Sequence, residues 1–187
     1  MINIIKQAAE VLRKGGIILY PTDTVWGLGC DACNTSAVQK IFELKRRREE
    51  QSMIVLVSDE NMLAQYVVEV PEIAWSLIEV ADKPLTIIYP HAAGFASGVA
   101  ASDGSAGIRI PKHEFCVKLL KTLRCPLIST SANISGAPAP RSLEEISDEI
   151  INFVDFTVPR SCEGRMSGKP SSIIKLGING EVKIIRE

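Results

Sequence analysis

With 187 residues, 46% of them hydrophobic and 23% charged, the chain is long enough to fold as one domain around a proper core and too apolar to stay disordered. A net charge of −1 and a pI near 6.2 exclude a global attraction to nucleic acid or anionic lipid, so any basic surface has to be local. The apolar runs fall far short of the roughly 20 residues that span a bilayer, and Met1-Ile2-Asn3 leads straight into a helical pattern without a basic leader, which makes the cytoplasm the expected location.

The first helix is expected to start at an Asn3 cap, to carry Ile4, Ile5, Ala8, Val11 and Leu12 on one face, and to stop at Gly15-Gly16. Ile17 to Tyr20 reads as a buried strand. It opens into a loop holding Thr22, Asp23, Thr24, Gly27 and Gly29, where small hydroxyls and glycines let the backbone approach a ligand and reach positive φ. Ser36 with Gln39 forms a capping box for the next helix, which ends in the basic run Lys45 to Arg48. Met53 to Val57 is a second strand; helices follow over about 59–68 and 71–80, the latter with Pro71 at its start, then a strand over Pro84–Tyr89. His91 to Ser105 is rich in Gly, Ala and Ser without a period and reads as a mobile loop.

Gly107 to Pro111 is a short strand with Arg109 inside an apolar run, Glu114 to Leu123 a helix, and Pro126 to Thr130 a strand entering a second polar loop through Pro138. Ser142 and Glu145 predict a capped helix to about Ile150. Phe153–Val158, Ser172–Leu176 and Val182–Ile185 are the last strands, with an Asn179-Gly180 turn between the final two. Strands alternating with helices and closed by a hairpin define a single α/β domain with a twisted mixed, parallel and antiparallel, sheet.

Polar residues recur where these strands end, the place where ligands bind in open α/β sheets: Thr22, Arg109, Ser129 and Ser131, with Lys45 and Arg47 on the adjoining helix. Arginine clamps a carboxylate or phosphate with paired hydrogen bonds and lysine supplies a point charge. Against this, Lys45 to Arg48 also fits a solvated helix end favoured by the macrodipole, and Arg109 also fits a strand face turned to water. Five cysteines, an odd number, imply reduced thiols; Cys30 and Cys33 form a lone C-x-x-C without the second pair that zinc needs and read as small buried residues. His91 and His113 are isolated and expected at the surface. Phosphate-loop, dinucleotide and nucleophile-elbow signatures are missing, so local chemistry stops at an anion-binding α/β domain with a phosphate-containing ligand.

YPTDTVWGLGCDA followed by Lys45-x-Arg47 closely resembles the opening of the YrdC/Sua5 family of threonylcarbamoyl-AMP synthases, and PLTIIYP (Pro84–Pro90), GIRIP (Gly107–Pro111), STSANISGAPAP (Ser129–Pro140) and PSSIIKL (Pro170–Leu176) resemble later family segments in the same order. The resemblance covers nearly the whole chain and implies a one-domain, YrdC-like fold over residues 1–187. It implies a reaction in which L-threonine, bicarbonate and ATP, normally with Mg²⁺, give threonylcarbamoyl-AMP and pyrophosphate, for modification of an adenosine in tRNAs that read codons starting with A. Further implied partners are proteins of the threonylcarbamoyl transfer step and, through a local basic patch, tRNA or double-stranded RNA; no membrane is implied. By the same resemblance Lys45 and Arg47 are catalytic and hold the triphosphate with Ser105, Ser131, Asn133 and Arg186. Thr22, Arg109, Ser129 and Ser171 hold threonine, and no residue is a dedicated metal ligand. Gln51-Ser52-Met53, Asp82-Lys83, Arg160-Ser161 and Lys169-Pro170-Ser171-Ser172 depart from the commoner family segments toward YciO-type paralogues, so a non-catalytic protein that binds nucleotide or double-stranded RNA is the alternative.

Overall fold

The computed structural model describes residues 1–46 and 53–187. Arg47, and with it the rest of the expected basic run, lies outside the described residues. In chain order the elements are α1 (Ile2–Arg13), β1 (Ile18–Tyr20), β2 (Gly27–Gly29), α2 (Thr35–Lys45), β3 (Ile54–Leu56), α3 (Glu60–Tyr66), α4 (Glu72–Val80), β4 (Leu85–Tyr89), β5 (Ala106–Arg109), α5 (Glu114–Leu123), β6 (Leu127–Ser131), α6 (Asp148–Phe153), β7 (Phe156–Thr157), β8 (Ser172–Leu176) and β9 (Val182–Arg186). Among the described residues the strands form one sheet in the order β7-β1-β2-β6-β3-β5-β4-β8-β9. Pairing is mixed as expected: β3–β5, β4–β8 and β1–β7 are parallel, the rest antiparallel.

Alternation along each strand divides the core between the two faces of this sheet. Ile18, Tyr20, Leu56 and Leu127 pack with Ala8 and Leu12 of α1 and with Phe115 and Leu119 of α5. Leu19, Leu28, Val55, Ile108, Ile128 and Ile174 point the other way, toward Val38 and Ile41 of α2, Leu63 of α3 and Ala74 of α4. Helices α1 and α5 cover one side of their face. Beyond them Gly27, Ile54, Arg109, Ser129, Ser131 and Ile173 continue the same face as a cavity lining.

Several local expectations change. The first helix starts two residues earlier, with Met1 as N-cap and no side-chain cap, so Asn3 lies inside it; Gly15 ends it at φ 75°. The glycines of the first loop do not use positive φ; Gly27–Gly29 is a strand. A Cβ on Gly29 would lie 2.7 Å from Tyr20 Cε1 and 2.9 Å from Ile128 O, so glycine is what lets β1, β2 and β6 pack. The cap of α2 is Asn34, whose side chain accepts from Ala37 N at 3.1 Å, while Ser36 Oγ donates to that same oxygen and so reinforces the cap instead of being it. Helix α2 stops at Lys45 because Arg46 turns left-handed (φ 51°). Pro71 is the N-cap of α4 and not its first residue.

The capped helix expected after Ser142 is a single 3-10 turn (Leu143–Glu145), with α6 following through Phe153 and leaving only Phe156–Thr157 as strand. The 91–105 segment forms no named element yet is tied down at both ends. Ala92 N donates to Gly104 O at 2.8 Å and Ala96 N to Ala32 O at 2.9 Å. No helix among the described residues is long and apolar enough to cross a membrane.

Candidate active site

The cavity on the face of α1 and α5 measures about 220 Å³. Its rim and walls come from the loop after β1 (Thr22, Thr24), from β2, β3, β5, β6 and β8, and from the last residue of β9. Thr22, Arg109, Ser129, Ser131, Ser171 and Arg186, all read from the sequence as site residues, converge here.

Thr22 shapes the loop. Its hydroxyl donates to Val25 O at 2.7 Å and accepts from Thr24 N at 3.0 Å, a hydroxyl turn that fixes the backbone against the cavity. Asp23, at the centre of that turn, points beneath the cavity. Its Oδ2 accepts from Lys112 N at 3.0 Å, and its Oδ1 lies 3.2 Å from Arg109 Nη1, in a pair whose side chains are 5% and 3% exposed. Arg109 therefore faces inward and not water. The pair is joined by charge and proximity rather than by an aligned hydrogen bond, and Arg109 Nε has no hydrogen-bond partner among the described residues. A buried donor without a partner costs free energy, so the guanidinium that lines this cavity is not fully satisfied by protein groups.

Arg186 approaches from the opposite lip, with Nε and Nη2 donating to Ser171 O at 2.9 and 2.7 Å. Its side reflects a β-bulge. Val182 and Ile184 pair with Leu176 and Ile174, Ile185 is skipped, and Arg186 pairs with Ile173. Strict alternation would have put Arg186 on the face of Ile184; the extra residue re-aims it to the cavity. Partial burial, and then the neighbouring Arg109, hold the Arg186 pKa below the usual guanidinium value. An anion between the two would relieve that repulsion.

Lys45 and Asn133 sit beside the cavity without lining it. Lys45 is 2% exposed, which overturns the solvated-end reading. Its Nζ donates to Ser131 O and Asn133 O, both at 2.7 Å, and to Asn133 Oδ1 at 3.1 Å. Ser131 Oγ donates to the same Asn133 oxygen, and Asn133 Nδ2 to Ala137 O. The Lys45 and Ser-x-Asn elements thus form one cluster. Ser105 is not brought to the cavity; it bonds to Asp103, whose carboxyl is held well below its ordinary range by hydrogen bonds from Lys175 and then Ser105. Arg46 reaches Glu149 at 3.0 Å, so with Lys45 buried the basic patch is thinner than its sequence.

His113 is buried, contrary to the surface expectation: Nε2 accepts from Gly164 N at 3.1 Å and burial pushes its pKa below 6.5. Cys30 is buried as expected, but Cys33 is exposed. Thr24 lines the cavity as part of the hydroxyl loop read from the sequence, whereas Thr130, Pro170 and Ile173 were passed over as lining residues. The last two carried a signal, since both lie in the family-like segment Pro170–Leu176 that holds Ser171.

A hydroxyl-lined cavity flanked by two guanidiniums on a mixed α/β sheet defines a small-molecule, anion-binding protein. Residues 10–187 match the Sua5–YciO–YrdC family model, described as telomere recombination, and the chain belongs to that family. It is 34% identical over 178 residues to a threonylcarbamoyl-AMP synthase of Vibrio cholerae, covering 92% of this chain and 93% of that one. Among solved structures, P. abyssi Sua5 complexed with L-threonine superposes with a TM-score of 0.84 at 29% identity over 92% of this chain, which spans 50% of that longer one. E. coli YciO superposes at 0.85 with 26% identity, covering 99% of this chain and 89% of the other.

Proposed function

We propose that this chain is a threonylcarbamoyl-AMP synthase, a nucleotidyltransferase that uses L-threonine, bicarbonate and ATP. The observation that carries the reading is Arg109, a buried guanidinium lining the cavity together with a second one, Arg186. A free amino acid offers the carboxylate that such a wall accepts with paired hydrogen bonds. Ser129, Ser171 and the Thr22 turn supply acceptors and donors for the rest of threonine. The triphosphate lies toward Ser131, Asn133 and Lys45, where its oxygens exchange for those now held by the ammonium, and Arg186 closes the lip. Arg47 completes that cation set.

Attack of a carbamate on the α-phosphate sets one anion against a polyanion, so fixed cations and positioning dominate the barrier. Among the described residues the cavity lining holds hydroxyls and guanidiniums but no carboxylate, so Mg²⁺ would arrive on the phosphates, where it neutralises their charge. Transfer of the product to tRNA, with the proteins of that step, belongs to the same reading.

The test is pyrophosphate release with ATP, Mg²⁺, bicarbonate and threonine supplied together and each omitted in turn. Release that requires threonine and bicarbonate is expected; release indifferent to threonine overturns the proposal. The YciO-like alternative rests on the structural likeness reported above and would give ATP or duplex-RNA binding without turnover.

A further inference from the structure

Segment 163–171 belongs to no helix or strand, yet it crosses the first loop and ends in Pro170 and Ser171 at the cavity. Ser167 N donates to Asp23 O and Gly168 N to Thr24 O, both at 2.9 Å. Further back, Trp26 Nε1 donates to Glu163 Oε1 at 2.8 Å, and Gly164 N donates to His113 Nε2 at 3.1 Å. A strap without a ladder of its own keeps its place through such anchors. The His113 anchor is a close one. A Cβ on Gly164 would lie 3.0 Å from His113 Nε2, so glycine is what lets this N–H reach the ring. An Nε2 that accepts carries no proton, which makes the imidazole neutral with its proton on Nδ1. Protonation would turn Nε2 into a donor and set it against the Gly164 N–H.

We propose that His113 is a positioning residue for substrate binding: its neutral ring keeps the 163–171 strap clamped on the 22–24 loop, and its protonation releases the clamp. The inference rests on the proposed function only in naming threonine as the ligand. Ser171 stays tied to Thr86 at 2.8 Å, so the stretch that parts from the loop is the one carrying Ser167 and Gly168. The loop so released holds Thr22 and Thr24, which line the cavity. Two carboxylates near the ring favour its charged form, Asp23 from the first loop and Glu114 on its own helix. Asp23 is paired with Arg109, and Lys112 adjoins the ring in sequence. On the strap, Glu163 and Arg165 flank Gly164, the former engaged by Trp26 and by Arg160 at 3.5 Å. Burial outweighs the carboxylates and holds the folded pKa below 6.5. The clamp is therefore complete above a pH of about 6.5 and is lost as the pH falls through the lower folded value.

The experiment is calorimetric threonine binding to the full chain at pH 7.5 and pH 5.5, with an NMR pH titration of the unliganded protein beside it. Threonine affinity should fall about tenfold across this range, the loss expected when the clamp is closed in about a tenth of the molecules. His113→Gln, whose amide oxygen still accepts but does not titrate, should abolish that fall and bind more tightly at pH 7.5 than His113→Ala. In the titration the amides of Gly164, Ser167 and Gly168 should shift together with the His113 ring, at one midpoint below 6.5. A wild-type affinity indifferent to pH, an equal fall in His113→Gln, or strap amides that ignore the ring's titration overturns the proposal. If threonine fails to bind even at pH 7.5, it is the substrate reading that falls, and the strap amides alone then decide whether His113 holds the clamp.

Discussion

Arg109 carries its charge at 4% exposure, where desolvation is costly unless a counter-charge compensates it, and Asp23 at 3.2 Å is that counter-charge. Removing one partner strands the other. Arg109→Ala is expected to lower stability by about 3–5 kcal/mol in urea unfolding and to abolish threonine binding in calorimetry. Asp23→Leu combined with Arg109→Leu should cost less than the sum of the two single changes.

His113 gives a pH signature. Burial depresses its folded pKa, so folding favours the neutral ring. The stability it contributes is full above its unfolded value of about 6.5 and falls as the pH drops below that. His113→Asn should flatten the loss of unfolding free energy between pH 7 and 5.5, before most carboxylates titrate.

Of these residues only Arg109 announced itself, as a charge inside an apolar run. The depth of Lys45 depends on the end of β6 lying against the last turn of α2, a contact across 86 positions that no helical period contains. His113 is buried by the Gly164 segment, equally remote in sequence.

At the level of elements, the two polar turns and most strands were legible because apolar periods and capping residues are local signals. Gly27–Gly29 was not, since a strand with two glycines carries no strand propensity and exists only because β1 and β6 approach on either side. Gly29→Ala should therefore destabilise by about 1–3 kcal/mol in thermal or urea unfolding, as its new methyl meets the Tyr20 ring and the Ile128 carbonyl. The bulge in β9 was equally hidden, because an extra residue is visible only against the partner strand. Deleting Ile185 straightens the ladder and keeps the arginine opposite Ile173, so ATP affinity should persist. Arg186→Ala should reduce it about tenfold or more, the scale of a lost hydrogen bond to a charged group; equilibrium binding distinguishes the two.

For the whole molecule, a ligand that binds only the folded state stabilises it by mass action. Threonine at about a hundredfold excess over its Kd should add about 2.7 kcal/mol to the unfolding free energy, a gain absent from any Arg109 variant that still folds. A net charge of −1 and a basic run partly buried and partly paired predict that duplex-RNA affinity is weak at physiological salt.

The half-covered sheet face has one more consequence. Leu127, Ser129 and Ser131 share a side of β6, but only the leucine meets α1 and α5. Rewriting the two serines as valines would extend the greasy stripe across the open half, and such a variant should melt later while doing no chemistry. Usefulness in this domain is the portion of its interior that was left unfinished.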